Sequence, residues 1–163
     1  MTMRSITLAG VFAAAACVCA PAAASAATCE SLKSLMLPNV TIETATAVPE
    51  GPFEVPGGRG GGRGDAQPPA TLPAHCRIVA VLAPSPDSHI VVELWMPPMD
   101  KWNGKYEAIG NGGWAGNITF GNGRPEAIPR SMAASLNSGY ATSSTDTGHN
   151  ASDGPQARFA VGH

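Results

Sequence analysis

The chain has 163 residues, a single-domain length, with 44% hydrophobic and 13% charged residues and a formal net charge of -2. Its Lys and Arg number 10 and form no basic stripe, and no acidic tail is present, which argues against a nucleic-acid partner and against a charged interaction arm. Gly (19) and Pro (15) are both frequent, which favours a loop-rich, strand-containing protein over a helix bundle.

The N-terminus reads as an export signal over residues 1–26. Arg4 supplies the positive end, Ile6 to Ala20 is uncharged and apolar, and Ala24-Ser25-Ala26 fits the small-x-small pattern with cleavage after Ala26. The apolar run is short and Ala-rich for a membrane anchor. Ala14-Ala15-Ala16 is a poor approach to a lipidated Cys17 or Cys19. The expected location is therefore secreted or periplasmic, with no membrane contact after cleavage. Cleavage reduces four Cys to two, Cys29 and Cys76, an even pair that an oxidising compartment would join; the alternative is two separate buried thiols. The bridge would close a loop of roughly fifty residues, worth about 4 kcal/mol on the chain-entropy account.

Thr28 to Leu37 is a short helix at most, ended before Pro38. Val40 to Val48 alternates β-branched and other residues with period two and reads as a strand. Residues 50–71 hold clustered Gly and Pro with little apolar content and read as a flexible loop. Its Arg59-Gly60-Gly61-Gly62-Arg63-Gly64 and Arg63-Gly64-Asp65 are weak nucleic-acid and adhesion patterns, and a solvated linker fits them better. Cys76 to Ala83 and His89 to Met96 are strands joined by Pro84-Ser85-Pro86-Asp87-Ser88, a hairpin expected to supply antiparallel edge strands. Lys105 to Gly110 is a short strand running into Gly110-Asn111-Gly112-Gly113-Trp114-Ala115-Gly116. Ile128 to Ser138 has helical spacing with a Gly139 stop, and Tyr140 to Ser144 is a further strand ending in Thr145-Asp146-Thr147-Gly148-His149. Strand, glycine loop, helix and strand make a βαβ unit with a parallel strand pair. The expected fold class is α/β: a mixed sheet with an antiparallel hairpin followed by that βαβ unit.

The glycine run carries the chemistry. Gly-x-Gly-Gly after a strand exposes backbone N–H groups that hold an oxyanion or a phosphate. A dinucleotide fingerprint needs Gly-x-Gly-x-x-Gly opening a helix, whereas this run is one residue longer and Phe120-Gly121-Asn122-Gly123 interrupts; a P-loop needs Gly-Lys-Ser/Thr. An oxyanion loop of the His-Gly-Gly-Gly kind remains, against a plain tight turn. Asp146 and His149 sit three apart, too close for triad members from separate loops, and Ser143 and Ser144 lie in no Gly-x-Ser-x-Gly elbow. A buried hydrogen-bonding loop, with Asp146 holding backbone amides, is the better reading of that segment. His75, His89, His149 and His163 show no metal-ligand spacing, so no metal is expected in this segment. The sequons at Asn39, Asn117 and Asn150 are taken as chance.

Several segments together resemble the N-terminal third of tannases and feruloyl esterases. These are Leu72-Pro73-Ala74-His75-Cys76-Arg77, Trp102-Asn103-Gly104-Lys105-Tyr106, Gly110 to Gly116, Gly139 to His149, and Phe159-Ala160-Val161-Gly162-His163. The resemblance covers about Cys29 to His163, almost all of residues 27–163 left after the signal, and the order and spacing of the segments make it specific. It implies an α/β-hydrolase with an inserted lid, a Ser/Asp/His triad with the Ser in a Gly-Cys-Ser-x-Gly-Gly elbow, a disulfide beside that Ser, and a structural calcium in the lid. All of these would lie beyond His163, so the segment itself should be inactive, and its sheet should be left unpaired along one strand. The resemblance places the oxyanion hole at Gly112 and Gly113, retains the Cys29–Cys76 bridge, and makes Asp146 and His149 part of a signature loop without an assigned catalytic role. The implied substrate is a small-molecule or plant-polysaccharide ester of a phenolic acid, feruloyl or galloyl. The competing reading is a secreted, non-catalytic, β-rich binding module presenting Trp95, Trp102 and Trp114 to carbohydrate or aromatic ligands; a nucleotide-binding domain is a weaker third.

Overall fold

A computed structural model of the chain describes residues 27–53, 71–111, 116–121 and 130–149. The export segment expected over residues 1–26 and the middle of the loop expected over 50–71 lie outside the described residues. The ends of that loop are ordered more than composition suggests, because Gly51–Pro52 (β2) and Thr71–Leu72 (β3) pair antiparallel.

The remaining strands are Val40–Val48 (β1), His75–Leu82 (β4), Ile90–Met96 (β5), Tyr106–Ile109 (β6) and Ala141–Thr145 (β7). They form one sheet in the order β1-β4-β5-β7-β6, antiparallel throughout except for the parallel β6–β7 pair. The expected hairpin is β4–β5, and the expected βαβ unit is β6, the helix Met132–Asn137 (α1), and β7. The hairpin is not at the edge of the sheet, however. β5 pairs with β7 from Val92↔Thr145 to Trp95↔Thr142, and β4 pairs with β1, so both hairpin strands are interior. The physical reason is their two-faced apolar content: Val79, Val81 and Trp95 point one way, and Ile78, Ala80, Val92 and Leu94 the other. The edges are β1 and β6; in β1 Ala45 alone is buried, and a bulge between Ile42 and Thr44 breaks its alternation.

The N-terminal helix is a 3-10 turn, Glu30–Ser34, laid over the face that carries Ile78 and Leu94. Two ties hold it there: the Cys29–Cys76 disulfide, with Cα atoms 5.5 Å apart, and Glu30 Oε1 accepting from the Ala47 N–H at 2.9 Å. Beneath it an apolar groove of about 320 Å³ runs between Leu32, Leu35 and the sheet.

The opposite face is the core. Trp95, fully buried, sits among Phe53, Phe120 and His75, with ring centroids 5.2, 5.9 and 5.1 Å away. α1 covers it with Met132, Ala133 and Leu136. Ser131 caps the helix, its Oγ accepting from the Ala134 N–H, while the Met132 and Ala133 N–H groups donate to the Thr119 and Phe120 carbonyls. At the other end Tyr140 N–H reaches the Ser135 carbonyl and Gly139 N–H the Leu136 carbonyl, a Schellman ending that needs the positive φ of Gly139, 79°. That helix stop is the one expected from Gly139.

Candidate functional site

Because β6 and β7 run parallel and β5 antiparallel to them, three chain segments meet at one end of the sheet. They are the exit of β6 at Gly110 and Asn111, the exit of β7 at Asp146 to His149, and the entry of β5 at Ile90 and Val91. The carboxyl ends of adjacent parallel strands are where open α/β sheets place ligands. A cleft of about 440 Å³ lined by Pro73, Pro97, Lys101 and Ser138 opens instead by the exit of β5 and the end of α1, at the opposite end of the sheet.

Gly112 and Gly113, the expected oxyanion donors, and Trp114 lie outside the described residues. Their flanks are described. Asn111 Nδ2 donates to the Asn117 carbonyl at 2.9 Å and, at 3.4 Å, to the Thr145 carbonyl at the end of β7. The Thr119 N–H donates to Ser144 Oγ at 3.0 Å, which fixes the segment after the glycine run on β7. Gly116 has φ 49°, and a Cβ there would stand 2.5 Å from His149 Cδ2 and 2.7 Å from the His149 carbonyl oxygen. Only glycine fits that contact.

Asp146 Oδ1 accepts from the Val91 N–H and from the Gly148 N–H, both at 2.9 Å. Its side chain thus joins the β7 exit to the β5 entry. Thr147 and Gly148 both have positive φ, 59° and 79°, the pattern of a type I′ turn, with His149 N–H returning to the Asp146 carbonyl. For β-branched Thr147 that conformation is strained; its Oγ1 donates to the Asp146 carbonyl at 2.6 Å and lies 3.0 Å from His149 Nδ1. The loop is less buried than its polar content suggested: Asp146 and His149 are half-buried, and Thr147 and Gly148 are exposed. Asp146 Oδ1 is committed to the backbone amides of Val91 and Gly148.

Sequence reasoning missed a buried polar cluster on the core face of β4 and β5, away from this end of the sheet. Glu93, 2% exposed, accepts from Trp95 Nε1 at 2.8 Å and from Arg77 Nε and Nη2, the latter at 3.0 Å. The hydrogen bond to Glu93 raises the pKa of Arg77 above its ordinary value. Burial pushes the neighbouring His75 imidazole below its ordinary 6.5. The available signal was an Arg and a Glu set within otherwise apolar interior strands.

The binding-module reading loses one of its three tryptophans here. Trp95 has 0% exposure and fills the core, so it presents no face to a ligand; Trp102 is 40% exposed, with its Nε1 donating to the Lys105 carbonyl. Among the described residues no group of three or more His, Cys, Asp or Glu gathers as metal ligands, and the calcium that the resemblance implies would belong to a lid outside residues 1–163. Among them, too, no helix is long and apolar enough to cross a membrane.

Residues 76–163, more than half of the chain, match the family model described as Tannase and feruloyl esterase. Over 141 residues the chain is 41% identical to an uncharacterized esterase of Xanthomonas campestris pv. campestris, covering 86% of this chain and 21% of that protein. Its structure is similar to the crystal structure of an esterase from Aspergillus oryzae, with a TM-score of 0.55 and 27% identity over 75% of this chain and 22% of that one. Feruloyl esterase B from the same organism matches with a TM-score of 0.54, 27% identity, and 75% and 21% of the two chains. The chain therefore spans about a fifth of the length of the proteins it matches.

Proposed function

The chain belongs to the tannase and feruloyl esterase family, and from that membership we propose that it builds the oxyanion side of the active site in a secreted serine carboxylesterase for phenolic-acid esters. Its mixed sheet is of α/β-hydrolase type, and its relatives include esterases. The observation that carries the proposal is the convergence of the described flanks of the glycine run, Asn111 and Gly116, with the Asp146–His149 turn at the carboxyl end of the parallel β6–β7 pair, His149 lying against Gly116.

In the proposed reaction a serine oxygen attacks the ester carbonyl, a histidine takes the serine proton, and an aspartate orients that histidine. The N–H groups of Gly112 and Gly113 meet the negative charge that grows on the carbonyl oxygen. Losing one such donor costs about 3 kcal/mol of transition-state stabilisation in other hydrolases. Asp146 and His149 serve as a wall for the glycine run and take no part in proton transfer. The serine nucleophile comes from outside residues 1–163, which hold no Gly-x-Ser-x-Gly elbow, and this segment alone turns over no ester. The substrate is a feruloyl or galloyl ester, free or attached to plant polysaccharide.

The test is hydrolysis of methyl ferulate and methyl gallate by the intact gene product, with an alkyl acetate as control. Turnover of at least one phenolic ester in clear preference to the acetate supports the reading. Hydrolysis of neither phenolic ester contradicts it.

A further inference from the structure

We infer that Thr147 is a positioning residue for His149, fixing its neutral ring as the Nδ1–H tautomer with Nε2 as a hydrogen-bond acceptor beside Gly116; this goes beyond the proposed esterase function and does not depend on it. Thr147 Oγ1 has one proton and two close neighbours. The Asp146 carbonyl, 2.6 Å away, can only accept, so it takes that proton. The second neighbour, His149 Nδ1 at 3.0 Å, then donates into an Oγ1 lone pair. The reverse assignment turns the hydroxyl to the ring and leaves the two oxygens 2.6 Å apart with no proton between them. A neutral imidazole has one N–H and one lone pair, so with Nδ1 protonated Nε2 is the acceptor.

The turn that presents Oγ1 is anchored. Asp146 Oδ1 holds the Val91 and Gly148 N–H groups, and the Asp146 carbonyl also receives the His149 N–H at 3.4 Å. The ring is wedged as well: a Cβ on Gly116 would stand 2.5 Å from His149 Cδ2 and 2.7 Å from Nε2. The group that meets Nε2 at this end of the sheet is therefore an N–H or O–H donor, whether from the protein or from a ligand, and a carboxylate oxygen is refused. The same bookkeeping accounts for the strain. Glycine would take the φ of 59° at position 147 freely but brings no hydroxyl, whereas threonine brings the hydroxyl and bears the strain.

Two variants separate the hydroxyl from the strain. Thr147→Ser keeps the hydroxyl, and Thr147→Gly removes hydroxyl and strain together, so the turn can still form. The readout is imidazole nitrogen NMR of the intact gene product carrying isotope-labelled histidine, at about pH 8, above the ordinary histidine range. His149→Gln identifies the signal. Wild type and T147S should show the Nδ1–H form. In T147G the ratio of Nδ1–H to Nε2–H should fall about tenfold, as for the loss of one net hydrogen bond. A role confined to stability would instead shift the Tm and leave that ratio unchanged. An Nε2–H ring in wild type, an unchanged ratio in T147G, or loss of the Nδ1–H form in T147S overturns the inference. Should T147G fail to fold, the wild-type and T147S rings decide it. A wild-type protein inactive on both phenolic esters would sink the esterase reading and leave the tautomer result standing.

Discussion

Glu93 and Trp95 occupy the same face of one strand, and each needs the other. The indole N–H and the Arg77 guanidinium are the partners that let a carboxylate lie 2% exposed in the core. Removing the carboxylate leaves Arg77 and the Trp95 N–H half-buried or buried without it, so Glu93→Ala should cost about 3 kcal/mol in chemical denaturation; a loss under about 1 kcal/mol would show the cluster to be dispensable. The sequence hid this pair because Arg77 and Glu93 are diagonal rather than paired, with Arg77 opposite Trp95 and Val79 opposite Glu93. That relation exists only once the hairpin register is known.

His75 gives a pH signature at the same scale. Burial lowers its pKa, the Pro73 carbonyl partly opposes this, and Arg77 and Glu93 act in opposite directions. Because the folded-state pKa lies below the ordinary 6.5, the unfolded chain takes up the proton first as pH falls. The stability due to neutral His75 is complete above that value and is lost as pH drops from it through the folded-state pKa. His75→Gln should flatten the fall in Tm between about pH 7 and pH 5; parallel curves for the two proteins would contradict the assignment.

Among the elements, local signals decided what the sequence could reveal. The β4–β5 hairpin, the β6-α1-β7 unit and the Gly139 stop were all legible, because turn residues, apolar runs and a left-handed glycine act over a few positions. The order of the sheet was not, because placing β5 between β4 and β7 depends on a pairing about fifty residues apart. The bulge in β1 was equally hidden: Val40 to Val48 alternates smoothly as text, yet the register shifts between Ile42 and Thr44. The 3-10 turn Glu30–Ser34 has no buried residue of its own and depends on its ties. Cys29→Ser with Cys76→Ser should therefore cost about 4 kcal/mol on the chain-entropy account. It should also raise binding of an apolar dye as the groove beneath Leu32 and Leu35 opens. Unchanged dye binding would mean the turn stays docked without the disulfide.

At the scale of the molecule, the fold and the site were legible to different depths. Family motifs located the glycine run and the Asp146–His149 segment, and the sheet brings their described flanks to one end. The clamp at Asn111 was not legible, since an Asn before Gly-Gly reads as turn chemistry until its partners at Asn117 and Thr145 are seen. On the proposed function, the arrangement would be half of a hydrolase site: backbone donors and a supporting wall, with the nucleophile held elsewhere in the protein. The most direct measurement is mass spectrometry of the intact gene product after reaction with a fluorophosphonate. The account predicts a single phosphonylated serine, within a Gly-x-Ser-x-Gly elbow and outside residues 1–163. A protein that takes up no phosphonate, or takes it up on a serine of this segment, would contradict it.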